Sequence, residues 1–153
     1  MIFNRIKFVL AAVASSCAFA HAQIPAACAA GKLDLVYHRA DLPLPVQQML
    51  LKEGAMADRG EDYSVSDQGG LPRRRFGVGA LAANKVFVAV EYGGIASGVD
   101  FVVFRMAGGQ WMGESSRSIA RVPASESEVR WVICNGKLPP PPVADQQNRV
   151  KKL

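Results

Sequence analysis

The run from Lys85 to Met106 constrains this chain more than any other stretch. It reads Lys85-Val-Phe-Val-Ala-Val-Glu-Tyr92, then Gly93-Gly-Ile-Ala-Ser-Gly98, then Val99-Asp-Phe-Val-Val-Phe-Arg-Met106. Two β-branched and aromatic runs around a glycine-rich break predict a β-hairpin. Val86, Val88, Val90 and Tyr92 share one face of its first strand, and Phe87, Ala89 and Glu91 the other. In the second strand Val99, Phe101 and Val103 alternate with Asp100, Val102, Phe104 and Met106. A strand solvated on one side alternates apolar with polar residues. Here both sides are largely apolar, so something must cover each face.

The flanking segments extend the hairpin into a sheet. Arg75 to Ala82 puts Phe76, Val78 and Ala80 on one face and Gly77 and Gly79 on the other. Two bare glycines in a strand signal a bend, a bulge or close approach of another element. Trp111 to Ile119 turns polar after Met112, as an edge strand does. Leu33 to His38 alternates and reads as a first strand, and Tyr63 to Ser66 is a candidate short one. Asp41 can cap a helix in which Val46, Met49 and Leu50 form a stripe of helical period. That helix should end between Lys52 and Asp58. Val129 to Cys134 reads as a final strand, with Val129, Trp131 and Ile133 facing inward, closed by Asn135-Gly136. The expected class is therefore α+β: an antiparallel β-sheet meander, as a curved sheet or partial barrel, packed by one short helix. The helix covers one face of the hairpin. Sheet closure, a second layer or a partner is left to cover the other.

The first 22 residues read as an export signal. Arg5 and Lys7 precede an apolar stretch, and Ala18-Phe19-Ala20 and Ala20-His21-Ala22 offer small-x-small cleavage sites. Cleavage is expected after Ala22, with Ala20 the competing site. Cys17 would suit lipidation, but Ala14-Ser15-Ser16 matches that pattern poorly. Three segments follow: a leader over 1–22, one domain over 23–136, and a Pro-rich tail over 137–153 expected to be disordered. Removing 22 of the 153 residues leaves 131, enough for one real core. The leader takes two of the 18 basic residues and none of the 13 acidic ones, so the mature net charge is about +3. That balance does not suit nucleic-acid binding, and no later segment is long and apolar enough for a stable membrane span. A periplasmic or secreted location is expected. Cys28 and Cys134 should then pair, closing a loop of about 107 residues. On the chain-entropy picture this stabilises by on the order of 4 kcal/mol, less any native strain.

Candidates for chemistry are few. His38 is the one histidine left after cleavage at Ala22, and no nucleophile motif accompanies it. Asp58, Glu61, Asp62 and Asp67 are acidic but lack the spacing of a calcium loop. No catalytic residue, metal site or cofactor is implied. Arg73-Arg74-Arg75 is the densest charge and, with Ser97 and Gly98, is the candidate binding surface. Ser97-Gly98-Val99-Asp100-Phe101 resembles the Ser-Gly-x-x-Tyr motif of the periplasmic C-type lysozyme inhibitors, with phenylalanine in place of the tyrosine. Over those five residues the resemblance implies a small exported β-barrel whose serine-bearing loop enters a lysozyme active site. The expected function is a non-enzymatic binding or accessory protein of the bacterial envelope, its partner another envelope or secreted protein. The alternatives are an inhibitor or immunity-type protein, or a small envelope hydrolase using His38 or the acidic cluster.

Overall fold

A computed structural model describes residues 31–66 and 69–140. The leader, Cys17, Cys28, Asp67 and the tail beyond 140 lie outside the described residues. Among the described residues six strands form one open sheet: β1 Asp34–Val36, β2 Met56–Ala57, β3 Arg74–Leu81, β4 Lys85–Tyr92, β5 Gly98–Ala107 and β6 Gln110–Ile119. Its order is β1-β3-β4-β5-β6, antiparallel throughout. The two-residue β2 shares β3 with β1 and runs parallel to it, pairing Met56 with Arg74 and Ala57 with Arg75. Two α-helices among the described residues complete the α+β fold, α1 Leu44–Leu51 and α2 Glu126–Asn135.

The central hairpin pairs Lys85 with Arg105 through to Tyr92 with Gly98 without a break. Its two apolar faces seed two cores. On one side Phe87, Ala89, Val99, Phe101 and Val103 pack with Leu33, Val78, Ala80 and Ile119, beneath Val129 and Val132 of α2. On the other, Val86, Val88, Val90 and Phe104 pack with Phe76 and Met56, beneath Val46 and Leu50 of α1 and the adjoining Leu42. The sheet is thus a middle layer with one short helix on each face.

That arrangement corrects the reading of the C-terminal segment. Val129–Cys134 is not a strand but the body of α2, and its second helix is what covers the second face. Ser125 caps the helix, its hydroxyl accepting the Glu128 N–H, and Gly136 ends it at φ 71°. Val129 and Val132 turn inward together, three residues apart as a helix requires. Trp131 is half-buried, and among the described residues its indole N–H has no hydrogen-bond partner.

Three smaller differences have local causes. Phe76 and Val78 lie on opposite faces, because the β3–β4 register slips at Gly77. A side chain at Gly77 would collide with Val122, and one at Gly79 with Val36, so both glycines also mark close approach. Asp41 belongs to a single 3-10 turn, Arg39–Asp41, and α1 starts from Pro43 with no side-chain cap. Tyr63–Ser66 forms no strand; the short strand is Met56–Ala57. β6 is an edge strand, exposed along most of its length.

Candidate binding site at the hairpin tip

The β4–β5 loop and the segment before β3 meet at one end of the sheet. Gly93 N–H donates to the Arg73 carbonyl at 2.8 Å and Gly94 N–H to the Val65 carbonyl at 3.2 Å. Ser64 N–H donates to the Pro72 carbonyl at 2.8 Å, and Ser97 N–H closes a turn onto the Gly94 carbonyl at 3.2 Å. Gly93 is required by sterics, since a Cβ there would run into the Ser64 carbonyl. Gly94 is required by conformation, at φ 105°. Ser64 is itself buried, its hydroxyl donating to the Ser66 carbonyl at 2.6 Å. The two loops are therefore locked to each other by their backbones.

What this locked backbone presents is apolar. Ile95 is 96% exposed at the tip, Val65 67% and Leu71 51%. Ser97 is exposed beside them, while Gly98 opens β5 directly against the Tyr92 phenol. Ser97 and Gly98 belong to the candidate surface expected from the sequence; Ile95, Val65 and Leu71 were not part of it. The signal for Ile95 was available: an isoleucine between a glycine pair and Ala-Ser-Gly has no sheet face to occupy.

Two of the three arginines are engaged by groups elsewhere in the fold. Arg74 Nη1 donates to the Leu50 carbonyl at 2.8 Å, and its Nη2 meets Glu53 at 2.8 Å, so it ties β3 to the end of α1. That places a positive charge at a helix C-terminus, where it is favoured. Arg75 points to the other face and binds Glu91 through Nε at 2.7 Å, with its guanidinium 4.2 Å over the Tyr63 ring. The hydrogen bond to Glu91 raises the Arg75 pKa above its ordinary value. Arg73 is exposed next to the tip, and its carbonyl is the Gly93 acceptor. Arg74 and Arg75 are thus each held by pairings within the fold.

His38 and two carboxylates do come together. His38 Nδ1 lies 3.7 Å from Asp58 Oδ2, and Glu61 accepts the Asp58 backbone N–H at 2.6 Å. The cluster sits on the surface, with the His38 side chain 68% exposed. Asp58 Oδ1 is occupied by the backbone N–H groups of Arg39 at 3.0 Å and Arg59 at 2.9 Å. Arg39 reaches back to the Met56 carbonyl. This is a clasp holding the turn after β1 to the turn after β2. Among the described residues no group of histidine, cysteine and carboxylate side chains has the arrangement of a metal site. Nor is any helix of the described residues long and apolar enough to cross a membrane.

The open sheet also differs from the closed barrel that the Ser97–Phe101 resemblance implies. No family model, no curated protein and no solved structure matches this chain.

Proposed function

We propose that this chain is an exported, non-enzymatic binding protein of the bacterial envelope, and that it engages another envelope or secreted protein through the hairpin tip. The observation that carries this reading is Ile95, almost wholly exposed on a loop whose backbone is clamped by hydrogen bonds on both sides. A pre-ordered apolar protrusion costs little conformational entropy on binding and fits a pocket on a partner. Both sheet faces are covered by helices, which leaves the loops as the surface for recognition. The hydrolase alternative is weakened because Asp58 is already engaged by two backbone amides.

The test uses the exported chain as bait on envelope and secreted fractions. One stoichiometric partner should be retained by the parent and by Leu44→Asp, an exposed position at the start of α1 and outside the tip loops. Ile95→Asp should lose it while keeping the parent's thermal midpoint. Equal retention by Ile95→Asp would place recognition elsewhere, and hydrolytic turnover abolished by His38→Ala would replace this reading with the enzyme one.

A further inference from the structure

A cleft of about 320 Å³ lies between the turn after β2 and the neighbouring ends of β3 and β4, at the small end of the range that ligand sites occupy. Arg59, Gly60, Arg75, Gly77, Glu91 and Val122 line it. Both of its guanidinium groups are already oriented. Arg59 lies 4.7 Å over the Tyr37 ring, and Arg75 4.2 Å over the Tyr63 ring. A ring beneath a guanidinium occupies one flat face and leaves the in-plane N–H edge to bind.

Those edges are largely unspent. Arg75 Nε donates to Glu91 at 2.7 Å. Among the described residues its two Nη groups have no hydrogen-bond acceptor, and the Arg59 guanidinium has none at all. By contrast Arg39, Arg74, Arg121 and Arg130 give terminal nitrogens to carbonyl or carboxylate oxygens of the fold. Two arginines less one glutamate leave the cleft lining with one net positive charge.

We propose that this cleft binds a carboxylate, its two oxygens accepting from the open N–H edges of Arg59 and Arg75. A planar carboxylate matches a guanidinium fork with paired N–H···O bonds. A phosphate dianion fits less well, because its second charge faces the Glu91 carboxylate. A free small acid and the C-terminus of a peptide both present this group. The inference rests on the cleft alone and stands whether or not the hairpin tip engages a protein.

Nuclear magnetic resonance of the exported chain, titrated at constant ionic strength, reads binding at the Gly60 and Gly77 amides and at the Arg59 and Arg75 Nε–H groups. Acetate and alanylalanine should each give saturable shifts there, and alanylalanine amide, which lacks the carboxylate, should give none. A dipeptide bound more than about tenfold tighter than acetate identifies a chain terminus as the ligand, and a smaller difference a free small acid. Arg59→Gln should weaken acetate binding by about tenfold or more. Arg75→Gln also removes the bond to Glu91, so Arg75→Lys, which keeps the charge but not the planar fork, is the second variant and should weaken binding likewise. No saturable shift, an equal response to the amide, phosphate bound as tightly as acetate, or undiminished binding by either variant would each overturn the assignment.

Discussion

Val132→Ala tests whether α2 covers the second face of the sheet. Val132 is 0% exposed and packs in the core that contains Phe87, Phe101 and Val103. The substitution removes the equivalent of two methylene groups, at about 0.8 kcal/mol each. Partial collapse of the cavity left behind adds about 1 kcal/mol, so the expected loss is about 2–3 kcal/mol. Urea unfolding followed by far-ultraviolet circular dichroism reads it as a lower midpoint at unchanged slope. The strand alternative makes the opposite forecast. With Val129, Trp131 and Ile133 inward, Val132 would face out and the change would cost under about 0.5 kcal/mol. A Val132→Ala chain within that margin of the parent would refute the helical packing and reopen the question of what covers the second face.

Two further outcomes follow from local geometry. Gly93→Ala should destabilise by about 1–3 kcal/mol, because the Ser64 carbonyl occupies the space a Cβ needs; an alanine accepted without loss in urea unfolding would show that the two loops are not locked together. Glu128 binds Arg121 through both oxygens at 2.7 Å and accepts the Ala124 N–H at 2.8 Å. The Arg121 bond, chiefly, lowers the Glu128 pKa below its ordinary 4.5. A lowered folded-state pKa gives stability that is present above the ordinary value and lost as pH falls through the lowered one. Arg121 is half-exposed, so screening holds the effect to about 1 kcal/mol or less. Glu128→Gln should therefore be less stable than the parent at neutral pH and match it in acid; a difference that does not change with pH would refute the assignment.

The sheet was legible where side chains alternate and partners are sequential. Lys85–Tyr92 and Val99–Met106 carry enough β-branched residues on both faces that only a buried central hairpin can use them, and the polar turn after Met112 marks the edge. The α2 segment was not legible by composition, because Val129-Arg-Trp-Val-Ile is as rich in strand formers as any strand here. Its helical signals are of another kind: Ser125 three residues before Glu128 as a capping pair, the 129–132–133 period, and Gly136 at the stop. Tertiary packing then decided, since a bare sheet face needed a cover and a helix can lie across several strands. The Gly77 bulge was signalled by its two glycines, but not the face change it imposes on Phe76. Met56–Ala57 is too short for any periodicity to show.

How the arginine run is used was not legible in the sequence, for a related reason. A run of three arginines reads as a surface patch only while their partners are unknown. Leu50, Glu53 and Glu91 come from elements 16 to 24 residues away, and once folded they absorb Arg74 and Arg75. The same long-range pairing leaves the apolar tip in view. Ile95, Val65 and Leu71 lie outside both buried cores, so the fold itself sets no demand for apolar side chains there. Single exposed apolar residues are ordinary on a protein surface. Three at one end of a sheet, on two loops joined backbone to backbone, form the surface that the proposed contact would use. Replacing Ile95 by a polar residue should consequently leave folding stability within about 0.5 kcal/mol while removing the contact. That separation is what distinguishes a recognition surface from a patch of core left uncovered.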